Sequence, residues 1–346
     1  MKILLVTDRS AGHLFPALAL ARAAQTAGHN VTLFTTSAYL GEYVPEDIAC
    51  IVGKDLNRAW LLREMFLRSI EAVRIIFCMR PDKIIGFGGR GSLFFILFGA
   101  LFLRDTGLYE PNVRMGKANR FLRHLVRAIW YGLPPHNITA TMKSAGIPRH
   151  PGIRHYEKDQ ARKKLGLDLY RPVVFCFGGS QGSEFLNETF KKIIQEDVFF
   201  QAIHLTGERD YYQFCEFYDK IMRKEYFVKK SYKDIGLLYS AADIVICRAG
   251  ALTIAEIVFF RIPAILIPYP GAEGHQRANA LFLTGKGAAY YCEQNESAYA
   301  GCASILREAF ADRQKLDMIR EKLSSVSISV DDGTFYSSIF SGEKKD

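Results

Sequence analysis

Three short segments combine small residues with a polar side chain where a strand pattern gives way to a helix pattern. The first, TDRSAGHLFPAL, turns through Ser10, Ala11 and Gly12 and places His13 at the start of the new helix. Backbone N–H groups at such a turn favour an anion or a hydroxyl-rich ligand. His13 can serve there as a general base on a substrate hydroxyl. It can equally cap or pack the helix, and this turn alone leaves both interpretations open.

The second segment, FCFGGSQGSEFLNETF, is a strand that ends in a glycine-rich turn over residues 178–182 and continues as a helix. Glycines let the backbone approach a phosphate closely, and the helix N-terminus adds partial positive charge. No Lys-Ser/Thr pair follows and the spacing is not GxGxxG, which excludes P-loop and kinase-type sites. A plain tight turn is the alternative.

The third segment, residues 243–280, runs through strand, glycine turn, helix, strand and polar loop. Residues 249–252 are predicted to present backbone amides at a helix start. Glu256 follows on the first helical turns, where a carboxylate can accept both hydroxyls of a ribose. Its apolar sequence neighbours favour a specific partner over a solvated helix position. Gln276 heads another helix, from which it can bond sugar hydroxyls.

Strand patterns alternate with helix patterns through the whole chain, and the alternation runs twice. Near-continuous apolar strands between helices indicate parallel sheets covered on both faces. We therefore predict an α/β protein with two doubly wound, Rossmann-like domains that face a central cleft. The Pro- and Gly-containing segment GIPRHPGIRHYEK separates them, which gives domains 1–152 and 153–346. The last residues of the Ser-rich tail are expected to fray.

The predicted strands lie within nine segments of the sequence. In the first half they are KILLVT, NVTLFTT, KIIGFGG and AIWYG, and in the second half PVVFCFGGS, AIHLTG, YFVKKSY, DIVICRAG and PAILIPYP.

Charge and cysteine usage restrict the environment of the protein. The formal net charge of +9 lies in the first half, where residues 1–152 carry 19 Lys and Arg against 10 Asp and Glu; the remainder carries 26 of each. An anionic partner is therefore expected for the first half. The seven cysteines form no CxxC pair, which indicates free thiols in a reducing compartment. The longest apolar run, Leu93–Leu103, is shorter than the ~20 residues of a membrane span.

Five segments, in this order, resemble the MurG-type enzymes of glycosyltransferase family 28: GHLFPALALA, FGGSQGS, CRAGALTIAEI, IPAILIPYP and HQRANAL. LYEPNVRMGKANRFL is similar to the His-Glu-Gln-Asn segment of that family. The resemblance covers nearly the whole chain and implies the two-domain GT-B fold. It also implies an inverting transfer of N-acetylglucosamine from UDP-N-acetylglucosamine to the muramoyl sugar of lipid I, which makes lipid II for peptidoglycan.

The resemblance assigns donor binding to the second half. Arg154, Ser180 and the adjacent glycines would contact the diphosphate, and a backbone group at Tyr232 would contact the uracil. The remaining implied donor residues are Ala251, Leu252 and Thr253 for phosphate, Glu256 for the ribose, and His275 and Gln276 for the sugar hydroxyls.

On the acceptor side, the resemblance implies His13 as catalytic base and Glu110 as second candidate, with Ser10, Gly12 and Asn112 as acceptor-binding residues. This side also departs from the family. Where the family has Gly-Gly-Thr-Gly-Gly-His, this chain has Asp-Arg-Ser-Ala-Gly-His over residues 8–13. Tyr109 and Pro111 replace the His and Gln of the His-Glu-Gln-Asn segment.

Basic and aromatic residues in the first half suggest an anionic membrane surface as a partner. Residues 57–82 combine Trp60 and Phe66 with Arg63 and Arg68. The alternative is that these helices cover the sheet. We expect a peripheral protein at the cytoplasmic face of the cell membrane, with a UDP-sugar, a lipid-linked acceptor and cell-wall synthesis proteins as partners. No nucleic acid, cofactor or metal is expected, since no binding module or Asp-x-Asp motif is present.

Three other functions compete with lipid I glycosylation. A GT-B glycosyltransferase of another lipid acceptor, such as diacylglycerol, keeps the same chemistry. A non-catalytic sugar-nucleotide-binding subunit is disfavoured by the full pair of domains and by His13. A dinucleotide oxidoreductase would need GxGxxG after the first strand, where this chain has DRSAGHLF.

Overall fold

The chain divides into an N-terminal unit, Met1–His150 with Ile328–Asp346, and a C-terminal unit, Pro151–Ser327. The computed structural model describes residues 1–8, 10–36, 44–53, 61–150, 152–179, 181–196, 199–221 and 226–340. Within these ranges, no helix has the length and apolar character needed to cross a membrane. All seven cysteines are free thiols, as predicted, and Cys176, Cys247, Cys292 and Cys302 are buried.

The N-terminal unit is built on a seven-stranded parallel sheet with the order β3-β2-β1-β4-β5-β6-β7. Ile3, Leu4, Leu5 and Val6 of its first strand are all fully buried. Because successive side chains point to opposite faces of a strand, both faces must be covered by helices. The strands are β1 Lys2–Val6, β2 Asn30–Thr35, β3 Ala49–Val52, β4 Lys83–Gly86, β5 Asp105–Glu110, β6 Ala128–Tyr131 and β7 Met142–Ser144; the helices are α1 Ala11–Thr26, α2 Leu61–Met79, α3 Gly89–Leu101 and α4 Lys117–Leu122.

The C-terminal unit repeats this design with a six-stranded parallel sheet of order β11-β10-β9-β12-β13-β14. The strands are β9 Val173–Phe177, β10 Gln201–Leu205, β11 Tyr226–Lys229, β12 Ile244–Cys247, β13 Ala264–Leu266 and β14 Tyr290–Tyr291. The helices are α5 Lys158–Leu165, α6 Glu184–Glu196, α7 Tyr211–Ile221, α8 Ile235–Ala241, α9 Ala251–Phe260, α10 His275–Thr284, α11 Ala298–Ala311 and α12 Arg313–Ser324, with a 3-10 turn at Ala272–Gly274.

Each sheet contains one point where the direction of the strand order reverses. In the N-terminal unit β1 pairs with both β2 and β4, and in the C-terminal unit β9 pairs with both β10 and β12. The connections that follow these neighbouring strands run to opposite sides, which opens a crevice at the carboxyl edge of the sheet. The predicted doubly wound α/β class is confirmed. All nine predicted strands are present, although β4 is shorter than KIIGFGG: Phe87 and Gly88 form a turn and Gly89 begins α3.

The C-terminal tail corrects the predicted domain boundaries. The units divide at His150, close to the predicted residue 152, but the chain from Ile328 onward belongs to the N-terminal unit and not to the C-terminal one. The strand β15 (Ser329–Val330) pairs with β8 (Ile147–Pro148), and α13 (Asp332–Phe340) follows it. Phe335 is fully buried, with its ring 5.0 Å from that of Tyr109. The weak hydrophobic pattern of the tail conceals this return, because its apolar side chains reach a core that lies far away in sequence.

We expect Phe335→Ala to lower the free energy of unfolding of the N-terminal unit by about 3–5 kcal/mol, because it leaves a cavity in the core. Both tryptophans, Trp60 and Trp130, precede residue 151, so tryptophan fluorescence during urea unfolding reports this unit. Tyr212→Ala, at a side chain 77% exposed in the C-terminal unit, should leave the transition unchanged. An unchanged transition in Phe335→Ala would contradict the assignment of the tail to the N-terminal unit.

Candidate functional site

A cavity of about 350 Å³ lies at the switch point of the C-terminal sheet, between the turns that follow β9 and β12. The turn after β9 requires glycine at the point where it approaches the turn after β10. A Cβ atom on Gly182, whose φ is +73°, would lie 2.4 Å from the carbonyl oxygen of Thr206. The lining residues are Gly178, Gly182, Ser183, Glu184, Phe185, Arg248, Tyr269, Gln276 and Gln294.

A network of buried hydrogen bonds fixes the turn after β10, against which this glycine loop packs. The Asn187 side-chain amide donates to the Thr206 carbonyl at 2.9 Å and to the Asp210 carboxylate at 2.8 Å. His204 lies 3.0 Å from the Asn187 amide oxygen, and burial lowers the pKa of His204 to about 3. A neutral imidazole that donates to this oxygen fixes the orientation of the Asn187 amide. The amide is then positioned to bond the Thr206 carbonyl, against which Gly182 packs.

Arg248 supplies a fixed positive charge to the cavity. Its guanidinium donates to the Ser183 hydroxyl at 2.8 Å and to the Ile267 carbonyl at 3.0 Å. The rings of Phe185 and Tyr269 lie 5.8 and 5.7 Å from it. Burial lowers its pKa from the usual value, yet a guanidinium stays protonated at neutral pH. Sequence reasoning gave Arg248 no role, although its position directly after a buried strand was a usable signal.

The first turn of α9 offers backbone amides, as predicted. Gly250 is the N-cap, and Ala251, Leu252 and Thr253 occupy the first three helical positions. Their N–H groups precede the first intrahelical hydrogen bond, which runs from Ile254 N to Gly250 O at 2.9 Å. Such groups and the helix dipole together attract an anion.

Glu256 lies in the second turn of α9 beside a buried tyrosine. The Tyr239 hydroxyl donates to Glu256 Oε2 at 2.7 Å. Burial raises the pKa of Glu256 to about 7, although the hydrogen bond from Tyr239 opposes the shift. The carboxyl group is thus held in one orientation in a poorly solvated place, as a specific acceptor of ligand hydroxyls would be.

Gln276 is oriented by the loop that precedes its helix. The backbone N–H of Tyr269 donates to Gln276 Oε1 at 2.9 Å, so the amide nitrogen is the donor that remains for a ligand. His275 begins α10 next to Gln276 but does not line the cavity. Within the described ranges, no group of three His, Cys, Asp or Glu side chains is arranged to hold a metal ion.

Of the predicted donor residues that the structure describes, Gln276 lines this cavity, whereas Ala251, Leu252, Thr253, Glu256, His275, Arg154 and Tyr232 do not. One predicted residue lies outside the described ranges. Arg154 Nε donates to the Tyr156 hydroxyl at 2.7 Å, and Tyr156 in turn bonds to Asp234, the N-cap of α8. The Tyr232 ring stands edge-on to Phe227, with centroids 5.3 Å apart. Arg154 is therefore brought to the start of α8, near the segment of Tyr232, and not to the glycine loop. Ser180 is the residue outside the described ranges.

The switch point of the N-terminal sheet holds the predicted histidine. Ser10 is the exposed N-cap of α1, Gly12 lies in its first turn, and the His13 ring packs against Gly88, at the turn after β4. A Cβ atom on Gly88, whose φ is +100°, would lie 3.1 Å from His13 Nε2. The turn at Gly88 was assigned to a strand from the sequence, so its part in this site was missed.

Asp8, where the family has a glycine, lies beside the same turn. Its carboxylate accepts a hydrogen bond from Thr36 Oγ1 at 2.8 Å. A Cβ atom on Gly89 would lie only 2.2 Å from Asp8 Oδ2. The departure from the family pattern therefore places a carboxylate directly on the glycine turn that begins α3.

Glu110, the second predicted base, is buried and already accepts four hydrogen bonds. Its Oε1 receives the backbone N–H and side-chain amide of Asn112, at 3.2 and 2.9 Å. Its Oε2 receives the Gly116 N–H and the Asn119 amide, both at 3.0 Å. Two oxygens with about four acceptor positions are thereby occupied. This geometry favours a carboxylate that organises the loop around Asn112 over one that removes a substrate proton.

The other departures on this side are structural. Tyr109 is fully buried and donates its hydroxyl to the Gly146 carbonyl at 2.8 Å. The carbonyl of Pro111 accepts the Leu133 N–H at 3.1 Å. Because the Tyr109 side chain is fully buried, it does not contribute to the surface of the N-terminal unit.

Comparison with known families identifies both units. Residues 3–130 match the glycosyltransferase family 28 N-terminal domain, and residues 173–329 match the glycosyltransferase family 28 C-terminal domain. The chain belongs to glycosyltransferase family 28. The predicted family membership is confirmed. The relatives in this family are transferases, as the sequence predicted for this protein.

Individual relatives of this family 28 protein match it over most of its length. A protein of Rickettsia felis is 32% identical, covering 92% of this chain and 91% of its own. A protein of Thermus thermophilus is 33% identical, and the match covers 83% of this chain and 86% of that protein. Both are named UDP-N-acetylglucosamine–N-acetylmuramyl-(pentapeptide) pyrophosphoryl-undecaprenol N-acetylglucosamine transferase. The crystal structure of Acinetobacter baumannii MurG has a TM-score of 0.78 at 22% identity, covering 98% of each chain. The predicted GT-B class of fold is confirmed.

We expect Glu256→Gln to stabilise this family 28 protein at high pH only. The native carboxyl has a pKa of about 7 against an ordinary value of 4.5. The folded state therefore binds the proton more tightly, and the charged form destabilises the native state fully above pH 7 and not at all below pH 4.5. The variant should raise the free energy of unfolding by up to about 3 kcal/mol at pH 8.

Urea unfolding followed by circular dichroism at pH 5 and pH 8 measures this difference. The matched substitution Glu321→Gln, on the exposed side of α12, should have no such pH-dependent effect. Equal stabilisation by Glu256→Gln at both pH values would contradict a half-buried carboxyl group with a raised pKa.

Proposed function

We propose that this protein transfers N-acetylglucosamine from UDP-N-acetylglucosamine to the muramoyl sugar of lipid I, the undecaprenyl-pyrophosphoryl-linked muramoyl-pentapeptide, to give lipid II. The observation that carries the proposal is the near full-length similarity to relatives named for this transfer. The amide turn of α9, Arg248 and Glu256 support it, because together they suit a nucleoside diphosphate.

The donor would bind along the carboxyl edge of the C-terminal sheet. The diphosphate is an anion that the α9 amides and the Arg248 guanidinium can neutralise. The ribose hydroxyls would donate to Glu256, which must be ionised to accept both of them. Gln276 would donate its side-chain amide to a hydroxyl of the sugar.

The proposed reaction is a single displacement with inversion. The acceptor hydroxyl attacks the anomeric carbon, its bond to that carbon forms as the bond to UDP breaks, and its proton passes to His13. The negative charge that develops on the departing diphosphate would be stabilised by the α9 amides and by Arg248. Contacts within the protein fix the orientation of Arg248, and donors oriented in advance stabilise developing charge most effectively. Glu110 would act as a positioning residue for the loop of Asn112.

A second candidate function is transfer to a different lipid-linked acceptor. The observation that favours it is Asp8, whose carboxylate lies against Gly89 where family members carry a glycine. A carboxylate there repels an acceptor diphosphate, and a less anionic lipid would avoid this repulsion.

Incubation with labelled UDP-N-acetylglucosamine and lipid I in detergent tests the proposal. We expect label in a lipid II product. His13→Ala should lower kcat by 10²–10⁴-fold, the usual contribution of a general base, while leaving UDP affinity unchanged. Glu256→Ala should do the reverse and weaken UDP binding.

Donor binding without transfer to lipid I, but with transfer to diacylglycerol, would instead support the second candidate. Lost UDP binding in His13→Ala would contradict the division of roles between the two units.

We also propose that the N-terminal unit associates with an anionic membrane surface at the cytoplasmic face. Phe66, Ile70 and Phe77 share one face of α2 and are 65%, 49% and 59% exposed; this set is called the α2 apolar stripe. Leu103 and Phe121 are also strongly exposed, and α4 carries Arg120. Exposed apolar side chains on a unit with a surplus of basic residues suit an interfacial protein.

The arginines first predicted for this surface need revision. Arg68 is only 4% exposed and pairs with Glu71 at 2.5 Å, because it lies on the face of α2 that packs against the sheet. A membrane contact through Arg68 is therefore wrong. The side chain of Arg63 and the whole of Trp60 lie outside the described part of the chain.

Phe66→Ser combined with Phe77→Ser should reduce binding to vesicles of phosphatidylglycerol and phosphatidylethanolamine by roughly tenfold or more, because two aromatic side chains no longer leave water. Sedimentation with the vesicles measures the bound fraction. Tyr212→Ser combined with Leu281→Ser, at exposed positions of the C-terminal unit, is the matched control. Equal binding by the two double variants would show that the α2 apolar stripe does not contact lipid.

A further inference from the structure

A second cavity, of about 580 Å³, lies at the opposite edge of the C-terminal sheet from the glycine loop. Pro172, Asp243 and Ile262 line it, and they precede the strands β9, β12 and β13. The cavity is thus at the amino edge of these parallel strands, whereas the donor residues follow the carboxyl ends. None of the residues assigned above to the UDP-sugar or to the acceptor lines it.

Positive charge dominates the lining of this amino-edge cavity. Asp243 is bonded by Lys158 and by Arg162, the latter at 2.6 Å. Arg320 pairs with Asp317 at 2.6 Å. These pairs account for both acidic residues of the lining. The five basic residues of the lining are Lys158, Arg162, Arg261, Arg313 and Arg320.

Arg261 and Arg313 are left without a carboxylate partner among the residues that the structure describes. Three of the five basic side chains form ion pairs with the two carboxylates of the lining, Asp243 and Asp317, so the cavity retains an excess of positive charge. A concave site with uncompensated guanidinium groups attracts an anion.

Both of these arginines also occupy positions that their local structure disfavours. Arg261 ends α9 in the left-handed conformation, at φ 48° and ψ 40°, where its N–H bonds to the carbonyls of Ile257 and Val258. This helix-terminating position normally takes glycine. Arg313 is the first residue of α12, where the positive end of the helix dipole opposes a cation. Disfavoured residues that face a common cavity indicate a function for their side chains.

The walls of the cavity are partly aromatic. Tyr156, Tyr170, Phe260 and Phe310 line it beside the basic residues. Such a combination suits an organic molecule with an anionic group, since the rings contact the apolar portion while the arginines hold the charge. The planar guanidinium fork matches the oxygens of a phosphate in pairs.

We propose that the amino-edge cavity binds a soluble phosphorylated small molecule, with Arg261 and Arg313 as the residues that contact its phosphate. Pyrophosphate is the probe for this site. Isothermal titration of the full chain with pyrophosphate is carried out in saturating UDP, which occupies the donor cavity.

Arg261→Gly and Arg313→Gln are the decisive variants. Each should weaken pyrophosphate binding by about tenfold or more, the effect of losing one charge-assisted contact. Arg261→Gly gives the left-handed position its preferred residue, so its melting temperature should stay equal or rise, and lost binding is then not a folding defect. Arg307→Gln, on α11 and paired with Glu196, is the matched control and should bind normally.

If neither variant weakened pyrophosphate binding, the anion site would lie elsewhere and the proposal would be overturned. The proposal would also fail if pyrophosphate did not bind in saturating UDP. Sedimentation with phosphatidylglycerol vesicles distinguishes the source of the phosphate. If Arg261→Gly lowered vesicle binding and left pyrophosphate binding intact, the ligand would be a lipid headgroup and the soluble-ligand proposal would fail. A failed transfer assay with lipid I leaves these readouts unaffected.

Discussion

The central strands of both sheets are parallel and buried on their two faces, so polar chemistry is confined to the edges of the sheets. The strand order reverses between β1 and β4 in one sheet and between β9 and β12 in the other. In each described sheet, this reversal opens the one crevice at the carboxyl edge that the topology itself creates. Glycines fit there because the turns approach one another closely, as Gly182 does with Thr206. The amide turn of α9, the Arg248 guanidinium and the packed ring of His13 all depend on this arrangement of strands.

The donor-side groups are held in place at a cost to stability. Glu256 is kept poorly solvated beside Tyr239, and burial raises its pKa to about 7. Arg248 is also buried, with its guanidinium bonded to Ser183 and Ile267. A site that already has its charges fixed needs little reorganisation when a charged ligand arrives. The same logic explains why Glu110, with all its acceptor positions occupied, is better understood as part of the scaffold.

The sequence was sufficient for the parts of the protein that local patterns determine. Apolar runs between helix patterns predicted nine strands correctly, and glycine turns located the α9 and β9 sites. Contacts between distant segments were not predictable in this way. Arg68 looked like a surface cation until the structure showed it paired with Glu71, and Gly88 looked like the end of a strand until its φ of +100° placed it under His13. Periodicity indicates which side chains are buried but not which distant residue they meet.

The return of the tail to the N-terminal unit has a consequence for how the protein is made. A ribosome produces the chain in order, so all of Pro151–Ser327 emerges before β15 and α13 exist. At the usual 5–20 residues per second, the N-terminal unit waits roughly 10 to 40 s for its last strand and helix while the C-terminal unit completes its own sheet. During that interval the surface that Phe335 later covers is open, and a nascent-chain chaperone has its best opportunity to act there.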